Sequence, residues 1–151
     1  MGLDLRMKGD KIPDQHHIAR YCKPTQAPGG EIQATAFMLR KDEESLSVNW
    51  LEFLKCPNRE SEVAELQRIL GQKLIRVSRN ARIAVLNVGV MNKTVHQGSP
   101  DARNLAVLHA PEVNDPSHSG IYNLKQDDDL IAELIRQTIL DNHPAHKGRL
   151  L

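Results

Sequence analysis

The sequence predicts an α+β fold, with a mixed or mainly antiparallel sheet of about five strands and two main helices packed on it. Three observations support this class: short apolar or alternating runs between turn residues, two segments with apolar residues at helical spacing, and a length of 151 residues with 40% hydrophobic residues. That length suits one domain with a substantial core. We expect a single domain over residues 14–143, with flexible ends at residues 1–13 and 144–151.

The first third of the chain predicts three strands. His17–Cys22 alternates apolar and polar residues, and Glu31–Met38 does so over a longer run. Between them, two prolines and the Gly29-Gly30 pair predict a turn, because proline stops strand pairing and glycine adopts positive φ. Leu46–Trp50 then predicts a short third strand.

Two helices are predicted, at about residues 59–71 and 128–142. Asn58 or Ser61 can cap the first, whose apolar residues recur at three- and four-residue spacing: Val63, Leu66, Ile69 and Leu70. The second begins with the acidic run Asp127–Asp129, which suits a helix N-terminus, and a proline ends it. Its apolar stripe consists of Leu130, Ile131, Leu134, Ile135 and Ile139. Each helix can bury such a stripe only against the sheet.

The remaining strands lie between the two helices. Leu74–Val77 and Arg82–Val88 predict a hairpin, because four turn-forming or polar positions separate them. Arg82–Val88 is apolar at nearly every position, so we expect it in the centre of the sheet. Asn104–His109 predicts a further apolar strand.

Composition excludes several classes of function. Aromatic residues make up only 3% of the chain, which counts against base stacking and carbohydrate binding. A net charge of +1 lacks the basic footprint of a nucleic-acid-coating protein, so nucleic acid is not an expected partner. No apolar run approaches the roughly 20 residues of a membrane span, and the two cysteines lack metal-ligand spacing. We therefore expect a cytoplasmic protein.

Histidine is the one chemically versatile residue type in excess, with seven copies. His109, Asp115 and His118 lie close enough in the chain to converge at one edge of the sheet, with His96 or His17 nearby. Two imidazoles and a carboxylate suit a transition metal or a general base with its orienting acid. The spacing matches no established metal motif, and ordinary turn chemistry also explains the segment. Convergence of at least three of these side chains would favour a hydrolase, such as a phosphodiesterase or nuclease-like enzyme.

A second constellation resembles the Arg, Ser-x-Ser, Glu order of ADP-ribosyltransferases. It consists of Arg20 on the first strand, Ser45-Leu46-Ser47 on a later strand, and Glu112 further on. The resemblance implies that the arginine and serines hold NAD⁺ and that the glutamate polarises its ribose. The second glutamate of the usual pair is missing here. Arg20, Ser47 and Glu112 in one cleft would favour this function.

Candidate binding residues are Trp50 and a basic group near the predicted hairpin tip. Arg76, Arg79 and Arg82 could contact phosphate or an acidic partner, although acidic residues upstream partly neutralise this patch. Four of the five aromatic residues fall within residues 21–53, and Trp50 is the one we expect to touch a partner.

Part of the chain resembles a group of small bacterial cytoplasmic proteins without an established activity. The resemblance rests on Arg20-Tyr-Cys-Lys-Pro24, Gly30-Glu-Ile-Gln-Ala-Thr-Ala-Phe37 and Asp42-Glu-Glu-Ser-Leu-Ser-Val48. It covers about the first third of the sequence. It implies a bacterial, cytoplasmic protein and no particular chemistry.

Three functions follow, in order of expectation. The first is a binding or accessory module that recognises a partner protein, such as the product of a neighbouring gene, because no phosphate loop or cofactor fingerprint is present. The second is the hydrolase built on His109, Asp115 and His118. The third is the NAD⁺-using transferase. No cofactor, metal or oligomeric state is assigned from the sequence.

Overall fold

The computed structural model describes residues 9–74 and 76–147. Its strands are β1 (His17–Cys22), β2 (Ser45–Trp50), β3 (Arg82–Asn87), β4 (Ala106–His109), β5 (His118–Tyr122) and β6 (Ile139–Pro144). Its α-helices are α1 (Arg59–Lys73), α2 (Val88–Gly98) and α3 (Asp129–Arg136). Short 3₁₀ helices lie at Pro24–Gln26, Pro28–Gly30, Ala34–Phe37 and Glu52–Leu54.

The strands form one sheet in the order β4-β5-β2-β1-β3-β6, with every neighbouring pair antiparallel. The predicted α+β class is confirmed, with six strands in place of about five. The Arg82 strand was expected in the centre of the sheet. β3 is interior, since it pairs with both β1 and β6, but β2 and β1 occupy the centre and β3 lies next to the edge strand β6. The first helix begins as predicted, where the Asn58 side chain accepts a hydrogen bond from the Ser61 amide.

The predicted helix over residues 128–142 is too long. α3 ends at Arg136, and the last apolar residue of the stripe, Ile139, begins β6. The Thr138 hydroxyl and amide both donate to the Ile135 carbonyl, which closes the helix. Beyond it, pairing with β3 satisfies the backbone, so a sheet edge outcompetes continued helix.

Two further strand predictions are wrong. The Glu31–Met38 segment folds as a 3₁₀ helix over Ala34–Phe37, which buries both Ala36 and Phe37 in the core. The Ala36 carbonyl bonds to Arg20 rather than to a neighbouring strand. Leu74–Val77 forms no strand over its described residues, so the predicted hairpin is absent there.

Two elements were not predicted. α2 follows β3 directly because the Asn87 side chain caps it, accepting from the Val90 amide. β5 lies in what the sequence presents as a turn-rich segment, and it pairs with both β2 and β4.

Each face of the sheet carries a hydrophobic core. α2 and α3 cover one face, where Met91 and Ile135 pack with strand residues such as Leu46 and Leu86. α1 covers the other face, where its Leu66 and Leu70 pack on a smaller cluster of Ala19, Ile83 and Val85. That smaller cluster lies on β1 and β3, so α1 covers only part of its face.

Two residues within the predicted flexible ends are buried. Ile12 donates its amide to the Val107 carbonyl, and Ala145 donates to the Ala81 carbonyl. Residues 1–8 and 148–151 lie outside the described part of the chain. Within the described residues, every helix falls short of the length and apolarity that a bilayer span requires.

Candidate functional site

A cleft opens where two central strands separate. β1 and β2 pair at Ile18 with Trp50 and at Ala19 with Asn49, and beyond these pairs they diverge. The cleft, of about 300 Å³, lies between the separated strands and the carboxyl end of α1. Its lining residues come from every neighbouring element: Arg20, Tyr21, Lys23, Gln26, Arg40, Glu43, Ser47, Asn49, Leu70, Lys73, Leu74 and His118. This volume is at the lower end of small-molecule sites.

The Arg20 guanidinium bridges the gap between the strands. Its Nε donates to the Ala36 carbonyl and its Nη1 to the Ser47 carbonyl, both at 2.9 Å. Burial lowers the pKa of this guanidinium, yet an arginine stays charged at neutral pH. Among the described residues Arg20 forms no ion pair. A part-buried cation held by two carbonyls retains donors for an anionic ligand.

The lining of the cleft carries further positive charge. Lys23 and Arg40 line it together with Arg20, and Glu43 is the carboxylate among the lining residues. Glu43 accepts from the backbone amide of Arg40. Arg20, Lys23 and Arg40, with Lys73 as a fourth lining cation, outnumber the one lining carboxylate. This favours a ligand that carries negative charge, such as a phosphate group.

His118 and Ser47 meet at the other side of the cleft. β5 pairs with β2 so that Ser47 is opposite Gly120 and His118 is opposite Asn49, which turns these side chains to the same face. His118 Nε2 lies 3.2 Å from Ser47 Oγ, and its Nδ1 lies 2.8 Å from the Ala110 carbonyl oxygen. Ser47 is solvent-exposed, so its hydroxyl can reach a ligand in the cleft.

Glu112 reaches the cleft through His118 and Lys73. Its carboxylate lies 3.7 Å from His118 Nε2 and 2.8 Å from Lys73 Nζ. Lys73, at the end of α1, also contacts Asp115 at 2.8 Å. Burial lowers the pKa of Lys73, but the two carboxylates more than offset this, and the pKa lies above its ordinary value.

Asp115 is a buried residue that holds Lys73 in place beneath the cleft. Its side chain is fully buried, and it accepts from the Asn49 amide and the Ser117 hydroxyl as well as from Lys73. The carboxylate is therefore hydrogen-bonded on both oxygens, as a buried charge requires. The network fixes the end of α1 to the loop that carries Glu112.

The structure places His109 apart from Asp115 and His118, the other two residues of the predicted site. Asp115 and His118 belong to the cleft side, whereas the His109 ring packs on Trp50 and Phe53 at centroid distances of 5.2 and 4.8 Å. His109 and His118 lie on different faces of the sheet, since His109 pairs opposite Ser119 and neighbouring strand residues alternate.

The other two histidines of that hypothesis lie elsewhere. His17 bonds to Glu52, whose two oxygens take the His17 amide and ring at 2.7 Å each. His96 lies on α2 and lines a separate depression with Lys11 and Asp14. Within the described residues no three His, Cys, Asp or Glu side chains are grouped as metal ligands would be.

The predicted binding residues do not form one patch around the cleft. Trp50 is half-buried, donates from Nε1 to His16 Nδ1, and stacks against Phe53. Arg82 bonds to Asn142 on β6. Arg76 and Arg79 are exposed in the connection between α1 and β3.

Three cleft residues, Lys23, Arg40 and Asn49, were not predicted as functional, and Lys73 was counted only with the basic residues near the predicted hairpin. Lys73 belongs to a helix whose polar face carries many charges, so its pattern resembles that of a solvated residue. The contact between Ser47 and His118 spans 71 residues and depends on β5, which was not predicted. Prediction of β5 would have placed Ser47 and His118 together.

Comparison with known proteins gave no match to a family model, a curated protein or a solved structure.

Proposed function

We propose that the chain is an NAD⁺-using enzyme that cleaves the bond between nicotinamide and ribose and transfers the ADP-ribosyl group. The observation that carries this proposal is that Arg20 and Ser47 line one cleft, while Glu112 contacts two other lining residues, His118 and Lys73. The sequence places these residues in the order typical of ADP-ribosyltransferases. A shared cleft is what that order requires if it is functional.

Each residue type suits a different part of NAD⁺. The Arg20 guanidinium, with Lys23 and Arg40, suits the pyrophosphate, because its remaining donors face a cleft of positive charge. The exposed Ser47 hydroxyl suits the nicotinamide ribose. The Glu112 carboxylate suits the positive charge that develops on the ribose as nicotinamide departs. A cytoplasmic location, where NAD⁺ is plentiful, fits the same proposal.

The hydrolase built on His109, Asp115 and His118 receives less support. It requires side chains on one side of the sheet, and His109 packs with Trp50 on the other. The nucleotide proposal uses Arg20 and Ser47, which line the cleft, and Glu112, which contacts the lining residues His118 and Lys73.

Nicotinamide release from NAD⁺, measured with the purified full chain, tests the proposal. Release should exceed the spontaneous rate, and Arg20→Gln should weaken the binding of ADP-ribose at least about tenfold in calorimetry. Arg76→Gln is the matched control, because Arg76 is an exposed arginine outside the cleft lining. Absence of nicotinamide release would exclude the proposal, and equal ADP-ribose binding by both variants would exclude the role of Arg20.

A protein-binding role is a second candidate, supported by the ring cluster around Trp50. Phe53 is 36% exposed and packs on Trp50 and His109, so an aromatic surface is available beside the sheet edge. Phe53→Ser should abolish co-purification of a partner that the unaltered chain retains. Equal recovery of that partner by both chains would exclude this surface.

A further inference from the structure

The contacts of His118 determine which of its ring nitrogens carries the proton. Nδ1 lies 2.8 Å from the Ala110 carbonyl oxygen, and a carbonyl can only accept, so Nδ1 carries the hydrogen. In the neutral ring Nε2 is then an acceptor. It lies 3.2 Å from Ser47 Oγ, so the serine hydroxyl donates to it.

This arrangement matches a nucleophile, its base and a group that orients the base. The Ser47–His118 distance is within the roughly 2.6–3.2 Å reach of a nucleophile–base pair. The Ala110 carbonyl takes the orienting place that an aspartate fills in a Ser-His-Asp triad. Glu112 lies 3.7 Å from Nε2, where its negative charge stabilises the imidazolium that forms after proton transfer.

We propose that Ser47 is the nucleophile of the cleft and accepts the ADP-ribosyl group, so that the chain modifies itself at Ser47. The choice of NAD⁺ as donor rests on the proposed function, whereas the reactivity of Ser47 rests on its contact with His118. The acceptor class is thus an aliphatic hydroxyl supplied by the enzyme.

The step balances as a substitution at the anomeric carbon of the nicotinamide ribose. Ser47 Oγ forms a bond to that carbon while its proton passes to His118 Nε2. The carbon–nitrogen bond to nicotinamide breaks, and its electron pair leaves with nicotinamide, which departs neutral. The products are nicotinamide, an O-linked ADP-ribosyl serine and an imidazolium beside Glu112.

Self-modification would stop turnover, because Ser47 lines the cleft that receives NAD⁺. An ADP-ribosyl group on its oxygen would occupy the space between Arg20 and His118. The expected stoichiometry is therefore one nicotinamide released and one ADP-ribosyl group bound for each chain.

Two probes separate this proposal from the proposed function. In the first, the full chain is incubated with NAD⁺, nicotinamide is quantified, and the adduct is located by tandem mass spectrometry. In the second, a fluorophosphonate is added without NAD⁺, and the phosphonylated residue is located in the same way. Both are applied to the unaltered chain, Ser47→Ala, His118→Asn and Ser119→Ala, with folding checked by circular dichroism.

Ser119→Ala is the matched control. Ser119 follows His118 directly in sequence, but it is fully buried and donates to the Ser117 carbonyl. It should therefore react like the unaltered chain with both probes. Ser47→Ala and His118→Asn should lose at least about tenfold of the labelling, because each removes one partner of the pair.

Each outcome decides between the two ideas. Label on Ser47 from both probes supports self-modification. Nicotinamide release without an adduct on Ser47 overturns self-modification and leaves the NAD⁺ function in place. Phosphonate on Ser47 without nicotinamide release overturns NAD⁺ as donor and keeps the nucleophile, and equal labelling of His118→Asn overturns the role of His118. Inertness to both probes overturns both ideas.

Discussion

The fully buried carboxylate of Asp115 lies 2.8 Å from the ammonium of Lys73, at the end of a helix 42 residues earlier. Lys73→Met should therefore destabilise the fold by about 3 kcal/mol, since it leaves a buried charge without its cation. Urea unfolding measures this cost. Adding Asp115→Asn to Lys73→Met should recover part of the stability, and a double variant that is less stable than Lys73→Met would contradict the explanation.

The same pair predicts how stability changes at alkaline pH. The pKa of Lys73 in the folded state lies above its ordinary value of 10.5. A raised pKa means that the stabilisation is complete below the unfolded pKa and is lost as pH rises through the folded pKa. Unfolding free energies of the unaltered chain and Lys73→Met should thus converge as pH rises through the folded-state pKa of Lys73. A constant difference across that window would argue against an electrostatic origin.

Glu52 predicts the opposite dependence in acid. Burial raises the pKa of its carboxyl, but hydrogen bonds from the His17 ring and amide prevail, and the pKa lies below its ordinary value of 4.5. A lowered pKa contributes stability above the unfolded pKa, and this is lost as pH falls through the folded pKa. Glu52→Gln should cost about 1.5 kcal/mol near neutral pH. That cost should shrink towards zero as pH falls through the folded-state pKa of Glu52, as paired urea titrations would show.

Glu112→Gln should reduce the rate of nicotinamide release without destabilising the fold. The Glu112 side chain is 47% exposed, and Lys73 keeps its contact with Asp115 when Glu112 is replaced. The unfolding free energy should change by no more than about 0.5 kcal/mol, as for most surface substitutions. Nicotinamide release should fall about 100-fold, because the carboxylate no longer stabilises charge on the ribose. Unchanged release in a stable Glu112→Gln protein would remove Glu112 from the proposed chemistry.

Two glycines of α2 offer a matched test of packing. A Cβ at Gly89 would lie 2.9 Å from Asp14 Cβ and 3.0 Å from its carbonyl oxygen, so backbone must move. A Cβ at Gly98 would approach only the flexible tip of Leu134. Gly89→Ala should cost about 1–3 kcal/mol, whereas Gly98→Ala should stay within about 1 kcal/mol of the unaltered chain. Thermal unfolding compares the two, and the reverse order would contradict the packing.

Local sequence patterns predicted the elements whose conformation is decided by residues close by in the chain. Asn58 caps α1, and the predicted strand His17–Cys22 forms β1 with the same bounds. Ile139 was assigned to a helix because its spacing from Ile135 is helical, yet pairing with β3 decides its conformation. Pairing of that kind depends on residues far away in the chain, and no local pattern records it.

The site was predictable only in part for the same reason. The order of Arg20, Ser47 and Glu112 was visible in the sequence, and their proximity was not. It results from the pairing of β5 with β2 and from Lys73, which holds the loop of Glu112 against α1. His109 shows the converse. It is near His118 in sequence, but its pairing opposite Ser119 places it on the other face of the sheet.

The two registered pairs between β1 and β2 are a narrow seam in the sheet. The seam divides it into two panels of three strands, β4-β5-β2 and β1-β3-β6. Arg20 belongs to one panel, whereas Ser47 and His118 belong to the other, so a ligand in the cleft would tie the panels together. Amide protons along the seam would then exchange more slowly with solvent when the cleft is filled. Hydrogen exchange at the backbone amides of the seam would thus report whether a ligand occupies the cleft.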